Sequence, residues 1–170
     1  MFKEEIHLDV EPELEQEDYE KERNKPMPDF IHGTIQLDLG AEFKAKYGDR
    51  FHFASEVTLD TSPASTPDIC IFEKSNEALD WRTTPAKAKV VPLTTIEIIS
   101  PSQSLNKLAE KIWEIYFKLG VKSAWLVMPP PFKAIYVFTP TDKLYFDSGT
   151  LTDPVTGIQI ELDKVFQGLK

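Results

Sequence analysis

A chain of 170 residues and 19.4 kDa with 41% hydrophobic residues is long enough for one domain with its own core and too apolar to be disordered. No stretch reaches the roughly 18 consecutive apolar residues of a membrane span, and "MFKEEIHLDV" lacks the basic start and apolar core of a signal peptide, so a cytoplasmic protein is expected. The formal charge of −9 gives no general attraction to nucleic acid, and the single cysteine, Cys70, excludes an internal disulfide and a cysteine-based zinc site.

The charge is unevenly spread. Residues 1–22 hold ten acids against Lys3 and Lys21, a local charge of −8, and the remainder is nearly balanced at 18 acids to 17 bases. Residues 1–25 therefore read as an acidic N-terminal arm and 26–170 as the folded domain. Within the arm, "IHLDV" suits a short edge strand, and "EPELEQEDYEKERNKP" is too polar to bury a face by itself.

After the Pro-marked loop "KPMPDF", Ile31, Ile35, Leu39 and Phe43 recur every four residues, which predicts a helix ending at Gly48. "RFHFASEVTLD" and "DICIF" read as two strands of a hairpin. Glu73 to Pro92 has no clean period and reads as an excursion, with a helical turn around "EALDW". "LTTIEIIS" is a strand ended by Pro101.

"SLNKLAEKIWEIYFKLG" carries one apolar face of Leu105, Leu108, Ile112, Ile115, Tyr116 and Leu119, with Ser102 or Ser104 as N-cap and Gly120 as C-cap. "SAWLVM", "KAIYVFT" and "DKLYF" read as further strands. The chain closes with a turn, a short strand and a helical turn around "LDKVF". The order of elements implies a single α/β (α+β) domain, a mixed β-sheet flanked by helices.

One residue conflicts with this pattern. Glu97 places a carboxylate inside the apolar run "TTIEII", where it must be neutralised, salt-bridged or bound to a metal. Asp68 opens "DICIF". If the two strands are neighbours, Asp68 and Glu97 can face the same side and share a hard divalent ion such as Mg2+, with Glu56 as a third carboxylate.

"TPDICIF", "PLTTIEIISPSQS", "EKIWEIYFKLGVKSAWLVMPPPFKAIYVF" and "DPVTGIQIELDKVF" together resemble the Uma-two restriction-endonuclease family, a branch of the PD-(D/E)XK nuclease superfamily. The resemblance extends back through "DYEKERNKPMPDFIHGTIQ" and "YGDRFHFASEVTLD", almost the whole chain. It implies a restriction-endonuclease-like fold, a Mg2+ (or Mn2+) site, DNA as substrate and a homodimer. By position, Asp68 matches the aspartate of the "PD" element and Glu97 its second acid. The lysine that the superfamily carries two residues after that acid is here Ile99.

Lys111 matches a lysine of the family's following helix and is the expected substitute. His32 matches a histidine at the start of the first long helix, and Gln103 follows the Glu97 strand, so both are candidate substrate-binding or supporting residues. His7 and His52 show no supporting pattern. Cys70 reads as a small buried thiol, and Trp81, Trp113 and Trp125 as core or interface aromatics, with Trp113 off the apolar stripe and suited to a subunit contact. The expected function is Mg2+-dependent cleavage of DNA. The alternative is a dimeric nuclease-fold module that binds nucleic acid or protein without cutting.

Overall fold

The computed structural model describes residue 21, residues 25–75 and residues 79–170. The expected strand at 6–10 and the acidic stretch before residue 21 lie outside the described residues.

Asp29 opens the helix α1 (Phe30–Tyr47) by accepting the His32 N–H at 2.8 Å. The expected stripe is its inner face, since Ile35, Leu39 and Phe43 are buried, and His32 is buried in line with them. Gly48 is the C-cap of the helix. Its φ is an ordinary −65°, but a Cβ there would lie 2.6 Å from the Lys44 carbonyl oxygen.

Six strands follow in one sheet whose spatial order is the chain order: β1 (Phe51–Ser55), β2 (Ile69–Glu73), β3 (Thr94–Ile98), β4 (Ser123–Met128), β5 (Ala134–Phe138) and β6 (Lys143–Phe146). β3 and β4 pair in parallel and every other pair is antiparallel, so the sheet is mixed as expected. Residues alternate between two cores. Ile69, Ile71, Ile96, Ile98, Trp125 and Val127 pack with α1, whereas Cys70, Ala124 and Leu126 pack with Leu108, Ile112 and Tyr116.

The crossover from β3 to β4 is helical but not regular. It comprises α2 (Leu105–Lys111), a π turn (Ile112–Tyr116) and a last turn, α3 (Phe117–Leu119), and the Phe117 N–H reaches back five residues to the Ile112 carbonyl. Ser104 is the N-cap and Gly120 the C-cap, at φ 112°. The apolar face expected here runs through the π turn, with Ile115 and Leu119 half-buried against the same core. Leu108, Ile112 and Tyr116 are buried, while Leu105 is exposed.

A small hairpin, β7 (Thr150–Thr152) and β8 (Gln159–Glu161), and the turn α4 (Leu162–Val165) close the α1 side. β7 has no signal in the sequence beyond its β-branched residues. Asp153 fixes the connection: it is fully buried and accepts the Trp125 indole N–H at 2.7 Å, the Val155 and Thr156 N–H groups, and the Thr156 hydroxyl.

The excursion between β2 and β3 is irregular, as expected, with a turn at 81–83; part of the expected helical turn around "EALDW" lies outside the described residues. Of the two places expected for Trp81, core or interface, the structure removes the core. Trp81 is 87% exposed, on a segment that touches the core again at Ala88. No helix among the described residues is long and apolar enough to cross a membrane.

Candidate active site

The register of three strands brings the acids together. Ile69 pairs with Ile96, so one step outward along the same antiparallel ladder Asp68 stands opposite Glu97. Ser55 pairs with Ile69, and the Glu56 N–H donates to the Asp68 carbonyl at 3.2 Å, so Glu56 stands opposite Asp68 on the other side. Glu56, Asp68 and Glu97 thus form one row across the ends of β1, β2 and β3. Glu56 leaves β1 at φ 58°, a left-handed conformation that costs a non-glycine residue about 1–2 kcal/mol.

Asp68 is buried and fully engaged. Its Oδ1 accepts the Lys25 ammonium at 2.5 Å, and its Oδ2 accepts the Ile98 N–H at 2.6 Å and lies 3.0 Å from His32 Nε2. Donors on both oxygens are the pattern of an ionised carboxylate. Burial and then the nearby Glu97 push its carboxyl upward, against Lys25 and the Ile98 N–H.

His32 is held below its usual pKa by burial, against the pull of Asp68. The neutral ring that donates from Nε2 leaves Nδ1 buried with no hydrogen-bond partner among the described residues.

Glu97 is held from the other side. Lys111 Nζ donates to its Oε1 at 2.8 Å and the Tyr116 hydroxyl donates to the same oxygen. Both donors come from the irregular crossover. In an ordinary helix residues five apart point in different directions, but the i to i+5 turn stacks them, and Lys111 Nζ lies 5.3 Å from the centre of the Tyr116 ring. Burial pushes the Tyr116 phenol well above its usual pKa, followed by Glu97 in effect, so it remains an O–H donor. Both hydrogen bonds described for Glu97 fall on Oε1.

Of the residues anticipated from sequence, Asp68, Glu97, His32 and Gln103 line one small cavity together with Lys25, Pro26, Ile98 and Ser100. Lys111 reaches it through Glu97, and Glu56 through Lys25, whose ammonium lies 3.2 Å from Glu56 Oε2. Gln103 Oε1 accepts the Ser100 N–H at 2.9 Å, which ties the loop after β3 to the cavity wall. Ile99 is half-buried among the apolar side chains of the α2 side, so this strand offers no amine. His52 and Cys70 lie outside the cavity lining.

Three contributors carried no functional signal in the sequence. Lys25 stood in a Pro-marked loop, and only its place just ahead of the helix bearing His32 hinted at a role. Tyr116 read as one more apolar-face residue, although a buried tyrosine hydroxyl needs a partner. Gln36, neighbour to a stripe residue, donates to Glu56 Oε1 at 3.2 Å and to the Asp68 carbonyl at 3.0 Å.

The row is right in kind for a hard divalent ion, since carboxylate oxygens are what Mg2+ prefers. The present arrangement is closed to one. Among the described residues no three His, Cys, Asp or Glu side chains converge closely enough to hold an ion. The cavity has no room for a water-sized sphere. Lys25 and Lys111 bring positive charge to the row.

A mixed six-stranded sheet flanked by helices, with an acidic row at its strand ends, is a restriction-endonuclease-like α+β fold. The chain belongs to the Uma2 family, described as "Putative restriction endonuclease", which it matches over residues 10–169. Among solved structures it is similar to one from Anabaena variabilis described as "a putative nuclease belonging to DUF820", with a TM-score of 0.69 and 23% identity over 83% of each chain. No curated protein matches it. Family and fold together support a nuclease.

Proposed function

We propose that this protein is an endonuclease that hydrolyses phosphodiester bonds of DNA, with Mg2+ (or Mn2+) held by Asp68 and Glu97 and assisted by Glu56. The observation that carries this reading is the row itself. Two acids opposite each other, Asp68 just ahead of β2 and Glu97 on β3, are buried to 1% and 3% exposure. A buried ion pair is weak support for stability, so it is better explained by chemistry. The family's general use of divalent metals supports the same reading.

When bound, the ion would polarise the scissile phosphate and lower the pKa of a water molecule. The chain's own residues do the rest. The Ile98 N–H and His32 fix the orientation of Asp68, and Tyr116 fixes that of Glu97. Lys111, 2.8 Å from Glu97, supplies the amine that position 99 lacks, aimed at charge gathering on the phosphate. Gln103 holds the loop beside the entrance.

Incubation of supercoiled plasmid with purified protein and Mg2+ tests the reading. Nicking is expected, and Glu97→Gln should slow it by about 100-fold or more. An equal trace rate in both proteins would identify a contaminant and remove the proposal.

The alternative, a non-cutting dimeric module, draws on Ile99 and on the Lys25 ammonium at the row. DNA binding with neither cleavage nor heat on Mn2+ titration would favour it. Both readings place the protein in the cytoplasm as a homodimer, with residues 1–25 as an acidic arm. Support for the dimer is Trp113, 39% exposed and edge-on to Phe117 at 5.0 Å. A monomer mass by light scattering would remove it.

A further inference from the structure

The ammonium of Lys25 is surrounded by oxygens. Its Nζ lies 2.5 Å from Asp68 Oδ1, 3.3 Å and 3.2 Å from Glu56 Oε1 and Oε2, and 3.3 Å from the Thr66 carbonyl oxygen. The side chain is 6% exposed. An all-oxygen shell containing two carboxylates is the kind of shell that a hard cation takes, and a lysine ammonium is a compact point charge able to occupy it.

The charges agree with the geometry. Among the described residues, the carboxylates of Glu56, Asp68 and Glu97 meet the ammonium groups of Lys25 and Lys111. A divalent ion in place of the Lys25 ammonium would meet the same carboxylates with one more positive charge. Added to the ammonium, it would place two cations in one cavity that has no room for a water-sized sphere.

Delivery of Lys25 is also separate from the sheet. It comes from the loop four residues ahead of the Asp29 cap, flanked by Pro26 and with Pro28 two residues further on, so its side chain can withdraw without disturbing a strand. The left-handed turn at Glu56 is held by the same oxygen shell, since the Glu56 carboxylate meets Lys25 and Gln36.

We propose that Lys25 is a built-in cation that holds the carboxylate row closed, and that a divalent metal binds only by displacing its ammonium. This rests on the reading of Asp68 and Glu97 as metal ligands. It adds that Lys25 sets the metal affinity and that the segment ahead of α1 must yield when the site loads.

The test is calorimetric titration of Mn2+ into the metal-free full chain as wild type, Lys25→Met, Lys107→Met and Glu97→Gln. Lys107 is exposed and controls for loss of one positive charge. Tenfold or greater tightening in Lys25→Met, with Lys107→Met unchanged, is expected. Equal or weaker binding by Lys25→Met overturns the proposal. If wild type binds and Glu97→Gln does not, the metal reading survives that failure. If none of the four proteins binds Mn2+, both fail.

Wild type supplies a second readout that does not depend on the folding of Lys25→Met. Reductive methylation followed by mass spectrometry should show Lys25 slow to react in metal-free protein and at least fivefold faster in saturating Mn2+. An unchanged rate at Lys25 overturns the displacement.

Discussion

Lys111 and Tyr116, five residues apart in sequence, meet on the same oxygen of Glu97. The π turn between them makes this convergence, and it explains how a carboxylate is tolerated in a fully buried strand of the sheet. The charge is matched by an ammonium and a hydroxyl brought from a single irregular helix.

Removing one of the two donors should be costly. Lys111→Met leaves Glu97 with the Tyr116 hydroxyl alone, and breaking a buried pair from one side costs about 3–5 kcal/mol. Lys111 retains 15% exposure, which puts the expected loss at the lower end. Urea unfolding should show that adding Glu97→Gln recovers much of the loss. Additive losses in the double variant would mean that the two side chains act independently.

Tyr116→Phe isolates the second donor. A hydrogen bond to a charged group is worth about 1.5–3 kcal/mol, and the ring itself stays in place among Leu108 and Ile112. The same unfolding experiment measures it, and a change below about 0.5 kcal/mol would show the contact to be without net value.

The fold was largely legible in the sequence because its signals are periodic. The α1 stripe, the alternation of Ile96, Glu97 and Ile98, and the apolar runs of β4 and β5 each report burial directly. The π turn was not, because one extra residue in a helix leaves the apolar spacing almost unchanged. The acids of the site were visible as charges out of place, and Asp68 and Glu97 do stand opposite each other. Lys25 was hidden for the opposite reason: a lysine in a polar loop is ordinary, and only the tertiary fold shows it buried to 7% exposure.

Asp153 is predicted to matter for stability alone. Its carboxylate joins Trp125 to the turn before β8 through four hydrogen bonds, all buried or nearly so. Asp153→Ala leaves those donors unpaired and should cost about 3–5 kcal/mol in urea unfolding. The folded fraction should keep its Mn2+ affinity, because Asp153 is not among the cavity residues.

Cys70 should be silent toward thiol reagents. It is fully buried, and burial pushes its thiol far above the usual range. Reaction with a chromogenic disulfide should be undetectable over an hour in the native protein and complete on denaturation. Rapid labelling under native conditions would show that β2 opens locally.

The most direct test of the account is anomalous diffraction from crystals soaked in Mn2+. The account predicts a peak between the carboxylates of Asp68 and Glu97, with the Lys25 ammonium withdrawn from Asp68. A peak elsewhere, or none while Lys25 remains on Asp68 and the plasmid is still cut, would contradict it.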